Sequence, residues 1–217
     1  MRAVRFTFGP CLLLAGVLLL PSGAYAQAES QVTHVAGHIT ALVPADTVVR
    51  ERQAMPAAKG MALLWLDVVK TDSAGRVRME LADGSVLSLS SDAQLQILRH
   101  DARRQQTTLE LLYGRLLATA KRIGKSSGEF VVTTRTAVVG VVGTAFGVKV
   151  DPESTDVLCK EGVVRVRSAD PNVPGEVLVR AGEFTHVALG KPPSPPAPAS
   201  PERIRAGEDA TAIPNIP

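Results

Sequence analysis

The sequence predicts an all-β protein with a single folded domain. Apolar and polar residues alternate with a period of two along most of the chain, and Gly, Pro, Asn and Asp separate the alternating runs at short intervals. No apolar stripe with a 3.6-residue period persists over three helical turns. Many short strands joined by tight turns are typical of a sandwich, a barrel or a solenoid.

The first segment, residues 1–26, has the pattern of a secretory signal peptide. Two arginines precede an apolar stretch that ends at Leu20, and the small residues Ala24 and Ala26 occupy the positions that a signal peptidase recognises. The stretch is shorter than the roughly 20 residues that cross a bilayer as a helix. We expect an exported protein, periplasmic or extracellular, with no stable membrane insertion after cleavage. The alternative is an uncleaved N-terminal anchor.

Without that segment the chain is close to neutral. The sequence has 24 Lys and Arg against 21 Asp and Glu, and loss of Arg2 and Arg5 leaves 22 against 21, a formal charge of +1. This balance gives no reason to expect a nucleic acid partner. Cys11 is lost with the signal segment, so Cys159 has no intramolecular disulfide partner. The fold must therefore depend on its apolar core.

The rest of the chain divides into three expected parts. Residues 27–59 form a β segment that packs on the main domain, residues 60–190 form the main all-β domain, and residues 191–217 form a disordered tail. The tail has eight of the fifteen prolines and few residues that could be buried, a composition typical of extended or disordered chain.

The clearest strands of the main domain flank Asp83-Gly84. Apolar and polar residues alternate on both sides of this dipeptide, and Asp-Gly between two such runs is a strong hairpin signal. A strand that reaches Gly114 suggests a second turn there. Met61–Trp65 could begin a short helix, although the β-branched residues that follow favour a strand. Further strands are predicted at residues 93–97, 130–133, 136–142, 146–150, 156–159, 163–167, 177–179 and 184–189.

The stretch TAVVGVVGTAF, residues 136–146, is apolar but contains Gly140 and Gly143. A phosphate-binding loop would need a helix after the glycines, whereas the sequence TAFGVKVD that follows alternates like a strand. The stretch is also too short to cross a bilayer. We therefore interpret it as two buried strands that meet at a corner, where Gly143 lets the chain turn.

The sequence offers no complete catalytic or metal-binding set. Cys159 lies on an alternating strand and is expected to face the core, where a thiol is inert. On a strand, His34 and His38 would lie about 13 Å apart, because each residue rises by about 3.3 Å, and one ion cannot bridge that distance. The acidic loop at residues 151–156 lacks the ligand order of a calcium loop. We expect no catalytic residues, no metal and no cofactor.

The alternating segments, taken in order over residues 60–188, resemble the FecR domain, the periplasmic module of transmembrane iron-siderophore signalling regulators. The similar motifs are a Thr-x-x-x-Gly/Ser turn into a strand that ends in Asp-Gly-Ser, a Leu-x-x-Gly-Arg strand, a core of Val-x-Thr followed by Gly-x-x-Gly-Thr-x-Phe, a Glu-Gly-x-Val-x-Val strand and a closing Ala-Gly-Glu. The resemblance implies a structural role for the residues of these motifs, which are Thr71, Asp83, Gly84, Ser85, Gly114, Arg115, Thr133, Gly140, Gly143, Thr144, Phe146, Glu161, Gly162, Val164, Val166, Ala181 and Gly182.

Two departures from the family pattern limit what the resemblance implies. Val142 stands where the family has an arginine, so a surface or salt-bridge role of that arginine is absent. The expected signal peptide also leaves no room for the cytoplasmic sigma-binding segment of the best-known members. The resemblance therefore implies the fold, a β-solenoid or β-roll or a sandwich-like arrangement, more strongly than it implies sigma regulation.

These observations predict a non-catalytic extracytoplasmic module that binds a protein or a cell-envelope polymer. Binding would use an exposed strand edge or a flat solenoid face. One alternative is a periplasmic signalling regulator that works through a separate membrane or sigma-factor partner. An enzyme is the third, least favoured possibility.

Overall fold

The computed structural model describes residues 34–43 and 46–213. The predicted signal segment, with Ala24 and Ala26, lies outside the described residues. Within the part of the chain that is described, no helix has the length and apolar character needed to cross a bilayer.

The described residues form 17 strands and one short helix, which confirms the all-β fold class. The Met61–Trp65 segment contains a strand rather than the start of a helix. In chain order the elements are β1 (Val35–Val43), β2 (Thr47–Arg50), β3 (Gln53–Pro56), β4 (Ala62–Leu64), β5 (Val68–Thr71), β6 (Arg76–Leu81), β7 (Val86–Leu89), β8 (Ala93–Asp101), β9 (Gln106–Thr119), β10 (Glu129–Thr133), β11 (Ala137–Val141), β12 (Ala145–Asp151), β13 (Ser154–Glu161), β14 (Val163–Ser168), β15 (Glu176–Arg180), β16 (Glu183–Ala188), β17 (Ala197–Pro198) and α1 (Pro201–Thr211).

The strands form one continuous sheet that folds into two layers. Layer A has the strand order β4-β1-β6-β7-β9-β12-β13-β16-β17. Layer B has the order β3-β2-β5-β8-β9-β10-β11-β14-β15. Neighbouring strands are antiparallel except for the parallel pair β9–β10. Among the expected arrangements, the sandwich-like one describes this structure best.

Strand β9 belongs to both layers. Its first part pairs with β8 and β10 in layer B, and its second part pairs with β7 and β12 in layer A. The change of layer occurs at Gly114, which has a φ of +88°. A Cβ at this position would lie 2.4 Å from the Cβ of Ala93, so no larger residue fits without a shift. The turn predicted at Gly114 is therefore wrong: the strand bends there and continues to Thr119.

The inward faces of the two layers form one hydrophobic core. Phe130 of layer B and Phe146 of layer A meet edge to face, with ring centroids 6.2 Å apart. Three buried threonines also join the layers, because the Thr155 hydroxyl lies 2.8 Å from that of Thr134 and 2.7 Å from that of Thr136. The period-two pattern of the sequence thus supplies one buried face for each layer.

The chain turns at Gly143, between β11 and β12. Gly143 has a φ of +89°, and a Cβ there would lie 2.5 Å from the Cα of Arg122. Gly140 differs, since it lies inside β11 and a Cβ there would meet no atom within 4 Å. Of the two glycines, only Gly143 is required by the corner.

The C-terminal segment differs from the disordered tail predicted for residues 191–217. Strand β17 extends layer A beside β16, and α1 follows it. An extended Pro-rich chain suits an edge strand because proline has no N–H to donate. The Ser200 side chain caps the helix by accepting a hydrogen bond from the Arg203 amide at 3.2 Å. The sequence Ser-Pro-Glu is a helix start signal, so the structure corrects the prediction over residues 197–211.

Asp46 is a buried carboxyl group with no hydrogen-bond partner for either oxygen. Its residue is 4% exposed. Burial, and next the negative charge of Asp72, raise the pKa of Asp46 from 3.8 to about 6. The fold therefore favours the protonated form of this group.

The Gly143→Val substitution should lower the free energy of unfolding by about 1 to 3 kcal/mol or more, because valine strongly disfavours a positive φ. Its side chain would also collide with the backbone of Arg122. Chemical denaturation with an optical readout measures this loss. Gly140→Val is the matched control and should change stability by less than about 1 kcal/mol, since its site is open. Equal stability of the two variants would contradict the assignment of the corner.

Stability should fall as pH rises from about 4 to about 6, because the unfolded chain ionises Asp46 at 3.8 and the folded chain does so only at about 6. Full ionisation of Asp46 lowers the free energy of unfolding by up to about 3 kcal/mol, at about 1.36 kcal/mol per pKa unit. Asp46→Asn should remove this part of the pH dependence and should melt at a higher temperature than the wild type at pH 7. Parallel pH dependences of the two proteins would count against a raised pKa.

Candidate functional site

The outer face of layer B carries a groove centred on Gly140. Four neighbouring strands place Val131, Gly140, Arg165 and Leu178 side by side in one row. The burial pattern of β11 alternates so that Gly140 lies on the outward side. Because Gly140 has no side chain, the row has a gap in its middle, and the resulting groove has a volume of about 1140 Å³.

Exposed aliphatic side chains line this groove. Val142 is 66% exposed, and Val163 and Leu178 are each 45% exposed. All three contribute to the groove, although they come from a turn and two different strands. Apolar side chains that cluster on the surface, with polar residues around them, are typical of a site that binds another protein. Val142 is the residue that replaces the arginine of the family pattern.

The polar margin of the groove carries charges of both signs. Arg122, Arg165 and Arg167 contribute positive charge, and Glu129 and Glu176 contribute negative charge. The Arg165 and Glu176 side chains form an ion pair with an N–O distance of 3.2 Å. Exposed charges of this kind influence which partner binds and how fast it binds more than how tightly it binds.

Strand β15 forms one border of the groove and one edge of layer B. Among the described residues its strand ladder is with β14 alone. An edge strand offers backbone N–H and C=O groups to an added strand. The groove and this edge together can bind an extended peptide segment, with the backbone at β15 and apolar side chains in the groove.

Cys159 lies in the core and is inaccessible. Its thiol donates weakly towards the carbonyl oxygens of Glu161 and Gly162, with sulfur–oxygen distances of 3.5 and 3.4 Å. Burial, and next the charge of Glu183, raise the pKa of the Cys159 thiol to about 11. The thiol is therefore protonated at neutral pH, which removes its nucleophilic form.

The histidines do not form a metal site or a catalytic set with one another. The His34 ring stacks on Trp65 at a centroid distance of 4.2 Å, and His38 lies on β1 with its side chain exposed. His186 Nδ1 lies 2.7 Å from Asp156 Oδ1, on the outer face of layer A. Within residues 34–43 and 46–213 no three His, Cys, Asp or Glu side chains are grouped to hold a metal ion.

The groove brings together a subset of the family-motif residues. Its lining includes Thr133, Gly140, Gly143, Thr144 and Gly162. Arg115 lies on the outer face of the other layer, beside α1. The remaining motif residues are distributed over hairpins, turns and the core; they are Thr71, Asp83, Gly84, Ser85, Gly114, Phe146, Glu161, Val164, Val166, Ala181 and Gly182.

Several of the motif residues make hydrogen bonds that hold turns and strand ends. The Thr71 hydroxyl donates to the Ser90 carbonyl at 2.7 Å and accepts from the Ala93 amide at 2.9 Å. In the β6–β7 hairpin, the Asp83 carboxylate accepts from the Ser85 amide at 2.8 Å. These contacts give the Thr71 and Asp83 side chains partners within the fold.

Sequence reasoning did not identify Val163 and Leu178 as site residues. Each occupies an outward position on an alternating strand, and a lone outward aliphatic residue is common on protein surfaces. One sequence signal could have identified them: β14 and β15 each carry an aliphatic residue at an outward position, where a charged residue is expected, and they lie near a strand with an outward glycine. That neighbourhood depends on strand order, which the sequence does not show.

Comparison with known proteins links this geometry to one family. Residues 67–165 match the model of the FecR protein family. No curated protein matched the chain. Two solved structures, at 1.65 and 2.50 Å resolution, of a candidate anti-sigma factor from Parabacteroides distasonis ATCC 8503 share the fold with a TM-score of 0.53 and 18% identity.

The structural likeness covers part of each molecule. It includes 64% of this chain and 63% of the chain solved at 1.65 Å, or 62% of the one solved at 2.50 Å. At 18% identity it shows a shared fold. The resemblance that the strand motifs predicted is confirmed by the family match, which covers residues 67–165 of this chain.

Proposed function

We propose that this chain is a signalling regulator that acts by contact with a separate protein partner. The single observation that carries the proposal is the FecR match at residues 67–165. The sequence alone favoured a general binding module for a protein or an envelope polymer. The family match supports the alternative, a regulator of the FecR type, more strongly.

The fold likeness adds support of a limited kind. The Parabacteroides distasonis protein that shares the fold is named as a candidate anti-sigma factor. An anti-sigma factor works by binding another protein, which agrees with a site built for protein contact. A fold can carry unrelated functions, so the partner of this chain is inferred from its own surface.

The groove on layer B is the surface that we assign to the partner. It combines exposed Val142, Val163 and Leu178 with the edge of layer B at β15. A protein interface usually has apolar side chains at its centre and charged side chains around them. The buried, protonated state of Cys159 argues against thiol chemistry, so the proposed action is binding without catalysis.

We place this action outside the cytoplasm. The support is the signal-peptide pattern of residues 1–26, together with the usual periplasmic location of FecR domains. Fractionation of cells that express the full chain tests the location, and N-terminal sequencing of the exported form tests cleavage after Ala26. A product that stays in the cytoplasm would contradict this part of the proposal.

Leu178→Asp should abolish regulation, because a buried carboxylate at the centre of an interface is costly. A central interface residue accounts for about 2 kcal/mol, which corresponds to about a 30-fold loss of partner affinity. The measurement is the transcript profile of a strain that lacks the gene, complemented with wild-type or variant protein. Val142→Asp should act in the same direction.

Leu112→Asp is the matched control for this experiment. Leu112 is also an exposed leucine on layer B, 40% exposed, but it lies outside the groove. The control should restore the wild-type profile when immunoblots show equal amounts of each protein. An unchanged transcript profile in the deletion strain would contradict the signalling role. Full complementation by Leu178→Asp would contradict the assignment of the groove as the partner site.

A further inference from the structure

The helix α1 lies on the outer face of layer A, on the side of the fold opposite the groove at Gly140. A row of residues on five neighbouring strands runs beneath it. The centre of this row is Gly147, which leaves a trough because a Cβ there would meet only the Leu116 carbonyl oxygen, at 3.8 Å. The row consists of Ser88, Leu117, Gly147, Leu158 and Phe184.

Polar contacts hold α1 on this face. The Arg203 guanidinium donates to Asp156 at 2.9 Å and lies 4.0 Å from the centroid of the Phe184 ring. Glu208 follows Arg203 by five residues in α1, and its carboxylate lies 2.5 Å from the Lys160 ammonium of β13. These side chains are partly exposed to solvent, so salt weakens their attraction.

Two arginines of layer A bind the helix backbone. Arg76 Nε donates to the Ala210 carbonyl at 3.0 Å, and Arg115 Nη1 donates to the Ala206 carbonyl at 3.3 Å. The last carbonyls of a helix have no partner within the helix and carry partial negative charge. The last turn of α1 has no basic residue of its own, so Arg76 supplies the missing positive charge. Layer A thus contacts the backbone of α1 as well as its side chains, and these contacts depend on the direction of the helix.

The helix fills the trough incompletely. Within α1 only Thr211 is buried, and a cavity of about 450 Å³ remains between the helix and the sheet. A Cβ added to Gly207 would meet no atom within 4 Å. Isolated helices shorter than about 12 to 15 residues are marginal in water, and the 11 residues of α1 add little apolar burial to offset this.

The chain before α1 is attached more firmly than the helix itself. The Ser194 amide donates to the His186 carbonyl at 2.9 Å, and the Ala199 amide donates to the Gly182 carbonyl at 2.8 Å. These backbone bonds hold the segment along β16 up to residue 199. These backbone bonds end at Ala199, one residue before the helix cap Ser200, so release of α1 does not require breaking them.

We propose that this trough is a docking site for an amphipathic helix of a protein partner, and that α1 occupies it until the partner displaces it. The contacts of α1 specify the partner helix. It presents a basic residue to Asp156 and Phe184, an acidic residue five positions later to Lys160, and a large aliphatic side chain where α1 has Gly207. Filling the cavity gives the partner an advantage over α1.

The trough and the groove lie on different layers, so this inference stands apart from the proposed function. A result for peptide binding at layer A changes nothing about the transcription experiment with Leu178 on layer B. The two proposals can therefore fail separately.

The test uses the full chain and a synthetic probe. The probe is a fluorescein-labelled peptide of residues 199–213 with Gly207→Leu, which is the α1 helix with the cavity filled. The receptor is either the wild-type chain or a chain with Arg203→Glu and Glu208→Lys, whose helix meets like charges at Asp156 and Lys160. Hydrogen exchange of residues 201–211 reports whether α1 is released, and fluorescence anisotropy reports binding.

We expect faster hydrogen exchange of α1 in the double variant than in the wild type. The peptide should also bind the double variant at least about tenfold more tightly. In the wild type α1 occupies the trough, and the apparent affinity for the peptide falls in proportion to the fraction of molecules whose trough is free. A peptide that also carries Glu208→Lys should bind poorly, and should regain binding when Lys160→Glu is added to the double variant. The recovery identifies the trough, since a nonspecific basic or apolar surface would not restore it.

Three outcomes overturn the proposal. Unchanged protection of α1 in the double variant would show that the polar contacts do not control the helix. Equal or absent binding of the peptide to both chains would show that the trough does not take a helix from another molecule. Concentration-dependent dimers of the wild type, lost in the double variant, would show that the occupant is α1 of a second copy instead.

Discussion

The passage of β9 from one layer to the other is the constraint on which the rest of the fold depends. A single strand pairs with β8 and β10 on one side of the core and with β7 and β12 on the other. Gly114 makes this possible because the chain there has a φ of +88° and approaches Ala93 more closely than a Cβ allows. Both halves of β9 point alternate side chains inwards, so the change of layer also fixes which residues of β10 and β12 meet. The contact between Phe130 and Phe146 follows from it.

The two layers share this core but present different outer faces. Layer B leaves Val142, Val163 and Leu178 exposed around an outward glycine, and within the described residues it ends in β15, whose strand ladder is with β14 alone. Layer A carries charged side chains around a similar glycine trough at Gly147, and there α1 covers the sheet. In each case an outward-facing glycine, Gly140 or Gly147, creates the depression. The two depressions differ in what covers them: the apolar side chains of the layer B groove are exposed, whereas the layer A trough, with Leu117, Leu158 and Phe184 among charged side chains, is partly covered by α1.

The candidate site was only partly predictable from the sequence. Val142 could be identified because it departs from an expected motif, and Gly140 because it interrupts an apolar run. Val163 and Leu178 could not, since their place beside Gly140 depends on β11 pairing with β14 and on β14 pairing with β15. Strand pairing between distant segments depends on the balance of all possible pairings, and local patterns do not encode it.

By itself the sequence determined most strands of the main domain, the alternation of apolar and polar residues along them, the hairpin at Asp83-Gly84 and the FecR resemblance. These depend on interactions between near neighbours: a period of two for pleated strands and special backbone angles at glycine. Only the tertiary structure decided that β9 continues through Gly114 and that the Pro-rich segment is ordered. The physical reason is the same for both: the backbone is stabilised by pairing with other strands, which are β7, β8, β10 and β12 for β9 and β16 for the Pro-rich segment. A local signal shows that the chain can bend or extend, and the packed fold decides what it then contacts.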